Sequence, residues 1–158
     1  MDRKEFILMV ERNQRAVRRF LVALCCGDIS RAEDLAQDTF VKAYLACGSF
    51  REDAKFSTWI YRIAYNTYVS SQRSQRQTEQ IEIADTMISA EKSDSAFRYQ
   101  ALYNALGRLS EKERSAILLY YMQGYDINEI AEITQSSSDA VKKLLSRGRK
   151  HIKQLIEK

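Results

Sequence analysis

Along most of this 158-residue chain, apolar residues recur at three- and four-residue intervals, the period of a helix with one buried face. Phe6, Ile7, Val10, Val17, Phe20, Leu21 and Leu24 predict a first helix running to about residue 26. Gly27-Asp28-Ile29-Ser30 reads as a turn, with Ser30 as N-cap and Glu33 completing a capping box. Ala32, Leu35, Ala36, Thr39, Phe40, Ala43 and Tyr44 mark a second helix, broken at Gly48-Ser49. A third follows on Phe56, Trp59, Ile60, Ile63, Ala64 and Thr67. These stripes need one another for burial, so residues 1–75 are expected to form a three-helix bundle.

From Ser70 to about Ser95 the stripe lapses, and residues 76–95 read as a flexible acidic linker broken only by Ile81, Ile83, Met87 and Ile88. The period returns at Phe97, Ala101, Leu102, Ala105, Leu106 and Leu109. Ser110 with Glu113 predicts a capped helix through Ile117, Leu118, Tyr120 and Tyr121 that stops near Gly124. Asp126 with Glu129 starts a short helix, Ile127–Ile133. The polar corner Thr134-Gln135-Ser136-Ser137 then leads into a last helix from about Ser138 to Ile156, with Val141, Leu144, Leu145, Ile152 and Leu155 inward. The fold class expected is all-α: two small helical domains, 1–75 and 96–158, joined by the linker. The absence of proline and the presence of only 5 glycines agree, since tight hairpins lack their usual turn residues.

Composition narrows the chemistry. No apolar run approaches the length that spans a bilayer, and the N-terminus has no signal-like stretch, so a cytoplasmic protein without membrane insertion is expected. One histidine (His151) and three cysteines (Cys25, Cys26, Cys47) leave little for catalysis, and adjacent Cys25-Cys26 is not a metal-binding pair. No enzyme activity, metal or cofactor is expected, and the thiols read as small apolar groups in a reducing compartment. Charge is uneven: +3 over residues 1–75, −3 over 76–95 and +4 over 96–158. The last 18 residues alone carry seven cations against Glu157, the kind of local excess that phosphate binding requires.

Three constellations carry function. In the stretch 126–149, a short capped helix, a polar turn and a basic helix have helix-turn-helix form. Ser137, Ser138, Asp139, Lys142, Lys143, Ser146, Arg147, Arg149 and Lys150 are its candidate DNA-contacting residues: cations neutralise phosphates, and short side chains let the helix enter the major groove. The competing reading is a solvated basic helix that merely ends a bundle. The second constellation interleaves rings with cations: Phe50, Arg51, Lys55, Phe56, Ser57, Trp59, Tyr61, Arg62, Tyr65 and Asn66. Such residues suit unpaired bases, the ring stacking while the cation follows the backbone. Phe56, Trp59 and Ile60 are core by spacing, whereas Tyr61, Tyr65 and Tyr68 share a face displaced from that stripe. An amphipathic core helix with snorkelling tyrosines is the alternative. The third is the second helix's polar face, with Asp34, Gln37, Asp38, Phe40, Lys42 and Tyr44, which fits a helical partner but also a solvated surface.

The string from Ala32 to Tyr44, with its Asp-Leu-x-Gln-Asp-x-Phe core, resembles the core-binding region of the extracytoplasmic-function sigma factors of bacterial RNA polymerase. Residues 49–66, with Phe-x-Thr-Trp-x-Tyr-Arg-Ile-Ala, are similar to that family's promoter-melting and minus-ten segment, and 109–149 to its minus-thirty-five-binding domain. The resemblance implies a non-enzymatic initiation factor. The third constellation would dock on core RNA polymerase, the second would capture melted non-template bases, and the first would hold duplex promoter DNA upstream. It also implies an anti-sigma protein as a partner. The chain departs from the family's turn pattern at Gln135, Ser137 and Asp139. Asp139 repels phosphate but suits a cytosine amino group. Two rival functions are a self-sufficient helix-turn-helix regulator and a helical adaptor that binds no DNA.

Overall fold

The computed structural model describes residues 1–51, 54–79 and 94–156, and the three N-terminal stripes become α1 (Arg3–Leu24), α2 (Ile29–Ala46) and α3 (Phe56–Glu79). Asp2 caps α1 by accepting from the Glu5 amide at 2.8 Å. The corner after α1 closes earlier than its sequence suggests. Cys26 and Gly27 both take positive φ, 54° and 92°, so the chain re-enters a helix at Ile29. The cap of α2 is therefore Asp28, which accepts from the Arg31 amide at 3.1 Å, and not Ser30. Glycine is required at position 27 for a second reason: a Cβ there would lie 2.8 Å from the Tyr103 ring.

Helix α3 runs to Glu79, into the stretch read as linker. Polar contacts carry it where apolar ones lapse: Arg31 bonds Gln72, and the Gln72 amide donates to Glu111 at 2.8 Å. Residues 80–93, the middle of that stretch, lie outside the described residues. Helix α4 (Asp94–Gly107) is followed by α5 (Glu111–Ile117), α6 (Ile127–Thr134) and α7 (Ser138–Ile156). Ser110 caps α5 by accepting from the Glu113 amide at 3.2 Å, and Asp126 with Glu129 forms a full capping box on α6. Where the pattern predicted one continuous helix past Ile117, Leu118–Met122 form a wider π turn. Leu118 and Leu119 of that turn are buried and continue the run of buried residues from Glu113 to Ile117.

The two helical halves share a core. Val17, Phe20, Leu21 and Leu24 of α1 and Ile60, Tyr61 and Tyr68 of α3 belong to the same buried cluster as Leu106, Leu119, Ile130, Ile133 and Leu145. Helix α3 lies along α6, while α1 touches α4, α5 and the π turn. At the centre, Arg114 of α5 is 8% exposed. Its guanidinium donates to the carbonyls of Leu24 (2.9 Å), Leu106 (2.8 Å) and Leu109 (3.2 Å) and to the Tyr68 hydroxyl (2.9 Å). Leu24 lies in the last turn of α1, whose carbonyls have no intrahelical donor, and a cation there also suits the helix dipole. Among the described residues there is no strand, and no helix is long and apolar enough to cross a membrane.

Candidate nucleic-acid interface

Helix α7 seats Val141, Leu145 and Gly148 inward. Gly148 passes so close to α5 that a Cβ would stand 2.7 Å from Ile117 Cγ1. The opposite face is exposed and carries Asp139, Lys142, Lys143, Ser146, Arg147 and Lys150. Its start is built by serines: Ser137 Oγ accepts from the Ala140 amide at 3.1 Å, and Ser138 Oγ donates to Asn128 Oδ1 at 2.9 Å, tying α7 to α6. Gln135 turns the corner between them in the left-handed region, φ 54° and ψ 46°. Asp139 sits in the first turn, where the helix dipole favours a negative charge.

Arg149 departs from that set. Its guanidinium lies 5.5 Å and 5.6 Å from the ring centres of Tyr120 and Tyr121, and its Nε donates to the Tyr121 hydroxyl at 2.5 Å. The π turn therefore draws Arg149 sideways, to the edge of α7 away from Lys143, Arg147 and Lys150. Two adjacent tyrosines before Gly124 were the only hint in the sequence.

The second constellation splits between surface and interior. Phe50, Phe56 and Trp59 form an aromatic cluster with ring centres 5.2–5.7 Å apart, Phe50 meeting the other two edge-on and Phe56 tilted against Trp59. Arg51, Lys55, Arg62 and Asn66 are exposed, and Ser57 and Tyr65 half-buried. Tyr61 and Tyr68, expected on a displaced and available face, are instead 2% and 1% exposed. Helix α1 and the other half of the molecule together cover that face. Tyr61 packs edge-on to Phe20 and Tyr125, at 5.3 Å and 5.4 Å, and its hydroxyl donates to Gln123 at 2.7 Å. Burial pushes its phenol well above the ordinary tyrosine range, with Tyr125 adding to the rise. Burial likewise pushes Tyr68 up to about 12, against the pull of Arg114. Between the cationic surface and α6 lies a cleft of about 760 Å³, with Arg51, Lys55, Trp59 and Arg62 on one wall and Asp126, Glu129 and Glu132 on the other.

On α2, Asp34, Gln37, Asp38, Lys42 and Tyr44 are exposed, and Lys42 leans on α3 with its Nζ 3.3 Å from Thr67 Oγ1. Phe40 is half-buried under the Arg18 guanidinium, 5.4 Å from the ring centre. Val41, part of the same string, is 58% exposed, and the structure adds Leu45, 78% exposed, as its apolar partner beside the polar face. Their i, i+4 spacing was legible, but they fall outside the stripe that marks the core. The three cysteines are free thiols, and no group of three or more metal-ligating side chains occurs among the described residues.

The sigma-70 region 2 family matches residues 9–78, and the sigma-70 region 4 family residues 99–152. The ECF RNA polymerase sigma-E factor of Salmonella typhimurium is 30% identical over 171 residues, covering 96% of this chain and 86% of the relative. The ECF RNA polymerase sigma factor SigM of Mycobacterium tuberculosis is 29% identical over 155 residues, covering 98% of this chain and 79% of its own. Among solved structures, the sigma factor RpoE of Bartonella quintana, in complex with the anti-sigma factor NepR, superposes with a TM-score of 0.81 at 26% identity and covers 98% of both chains. CnrH, in complex with the cytosolic domain of CnrY, shares the fold at 22% identity with a TM-score of 0.75, over 99% of this chain and 90% of its own.

Proposed function

This chain belongs to the extracytoplasmic-function sigma factors of bacterial RNA polymerase and acts in transcription initiation; from that premise we propose how its residues divide the work. The observation that carries the reading is the order of three distinct surfaces along one chain: an acidic and apolar face on α2, a cationic and aromatic wall around α3, and a basic face on α7. Core polymerase does the chemistry. Asp34, Gln37, Asp38 and Tyr44 dock on it, with Phe40 and Lys42 holding the face in shape and Val41 and Leu45 adding apolar contact. Such an interface combines a polar rim with a few buried apolar anchors.

Phe50, Arg51, Lys55, Phe56, Ser57, Trp59, Arg62, Tyr65 and Asn66 engage the melted minus-ten strand, cations on the backbone and rings on the bases. Tyr61 joins them only when the halves part. Ser137, Ser138, Asp139, Lys142, Lys143, Ser146, Arg147 and Lys150 meet the duplex upstream. Domain boundaries near 75 and 96 follow from this division, and the protein works in the cytoplasm, where its polymerase is. An anti-sigma protein is the expected regulator, as the structural neighbour RpoE of Bartonella quintana was solved in complex with the anti-sigma factor NepR.

The test is run-off transcription with core polymerase on a pool of promoter sequences. The wild-type chain is expected to direct specific transcripts. Asp38→Arg is expected to keep its helical circular dichroism but lose both transcript and co-purification with core. Unchanged co-purification would remove α2 from the docking surface.

A further inference from the structure

The basic face of α7 begins with an acid. Of the three polar side chains at that start, two are committed: Ser137 Oγ accepts from the Ala140 amide at 3.1 Å, and Ser138 Oγ donates to Asn128 Oδ1 at 2.9 Å. In the turn before them, Ser136 Oγ lies 2.8 Å from Thr134 Oγ1. Asp139 is exposed, and none of the hydrogen bonds that build this corner uses its carboxylate. Lys142 and Lys143 stand exposed one turn further along. In a helix-turn-helix, the first turn of the second helix is the part that reaches base edges. A carboxylate there repels phosphates, so it lowers affinity for every duplex unless one base returns a bond.

We propose that Asp139 is a specificity-determining residue of the upstream contact, whose carboxylate accepts from the N4 amino group of one cytosine in the major groove. The inference rests on the reading of α7 as the helix that meets duplex DNA. An ionised carboxylate accepts hydrogen bonds and donates none. Guanine presents O6 and N7 in the major groove and thymine presents O4, all acceptors that repel it. Adenine sets its amino group beside the acceptor N7, and cytosine offers an amino group alone. Lys142 and Lys143 offset the repulsion between the acid and nearby phosphates. The two serines fix the helix start, and the acid supplies the choice of base.

The test is selection from a pool of duplex promoters randomised over the upstream element, with the full chain bound to core polymerase. The wild-type chain is expected to favour cytosine about tenfold at one position. In Asp139→Ala that preference is expected to vanish, while the preferences at other positions stay. Asp139→Asn keeps the side chain's shape, and its amide suits N6 and N7 of adenine together. The favoured base in that variant is therefore expected to change from cytosine to adenine at the same position. Helical circular dichroism is expected to match the wild type in both, because the side chain is exposed.

A cytosine preference that survives in both variants would overturn the proposal, since another residue would then read that base. So would tighter binding of every pool member by Asp139→Ala with all base preferences intact, because the acid would then merely repel phosphate. Wild-type selection with no cytosine position that depends on Asp139 would overturn it as well. The triple variant Lys143→Ala, Arg147→Ala and Lys150→Ala separates these outcomes from a failure of the underlying reading. If it keeps the upstream selectivity and salt slope of the wild type, α7 does not meet the duplex and both ideas fall. If it loses them while the Asp139 variants select as the wild type does, α7 meets the duplex and the role of Asp139 alone falls.

Discussion

Gln135 holds the helix-turn-helix corner in a conformation that side chains with a Cβ seldom adopt. A non-glycine residue there costs about 1 kcal/mol or more, while glycine would lose additional backbone entropy on folding. Gln135→Gly is therefore expected to stabilise the chain by about 0.5 kcal/mol, read from the denaturant midpoint; a loss of stability would mean that the glutamine side chain contributes more than its backbone costs. A second residue-scale effect concerns pH. Desolvation pushes the Cys25 thiol from its ordinary 9.0 up to about 11, with Arg31 pulling the other way. Burial pushes Tyr68 up to about 12. A group whose pKa is raised by folding contributes stability that is full below its unfolded value and is lost as pH rises through the folded one. Stability is thus expected to fall from about pH 9 upward, and Cys25→Ala to flatten the part of that fall between 9 and 11. Urea midpoints on either side of that window check it. Only the first effect had a signal in the sequence: Gln135 stands at a turn where the chain departs from the resembled family's pattern, whereas nothing in the order of residues announced the desolvation of the Cys25 thiol.

At the scale of elements, α7 shows how far periodicity reaches. Its inward positions and its limits, Ser138–Ile156, were legible, because a long amphipathic helix repeats its signal over several turns. Lys143, Arg147 and Lys150 stand together on the outward side, and all three are exposed. If they meet phosphates, each removed charge should reduce the salt slope of duplex binding by about 1. The triple alanine variant is then expected to lose roughly three units of slope, whereas Arg149→Ala, engaged with Tyr120 and Tyr121, should change it far less. Equal effects from Arg149 and from any one of the three would contradict that division. Periodicity failed at the π turn, since an average stripe does not reveal a local change in helical pitch. It failed again at the start of α2. The strings Asp28-x-x-Arg31 and Ser30-x-x-Glu33 offer similar caps, and the left-handed residues Cys26 and Gly27 chose between them.

For the molecule as a whole, Arg114 is the tie between the halves. It brings a buried cation to carbonyls of α1, α4 and the loop before α5, together with a hydroxyl on α3. Removing it leaves several buried acceptors without their charged donor. Arg114→Met is expected to destabilise the chain by about 3 kcal/mol and Tyr68→Phe by about 1 kcal/mol, by equilibrium urea denaturation. An effect of Arg114→Met below that of Tyr68→Phe would show that the guanidinium is replaceable by packing alone. The acidic edge set against the cationic wall here is that of α6, carried by Asp126, Glu129 and Glu132.

What the sequence determined by itself was local and repetitive. Helix faces, the caps at Ser110 and Asp126, the breaks near Gly27 and Gly124 and the basic side of α7 follow from residue types at fixed spacings, because helix geometry converts spacing directly into direction. The motif strings around Asp38 and Trp59 extended that to a family. What only the tertiary structure decided was which surface covers which. Tyr61 and Tyr68 form a face that is apolar on its rings and polar at its tips, equally fit to stack on a base or to lie under a neighbouring helix. Packing against Gln123, Tyr125 and Arg114 chose burial. The same holds for Arg149, whose charge marked it for phosphate until the π turn placed two rings beside it. An amphipathic pattern states that a face needs a partner, but the partner lies far along the chain, where no local spacing can name it.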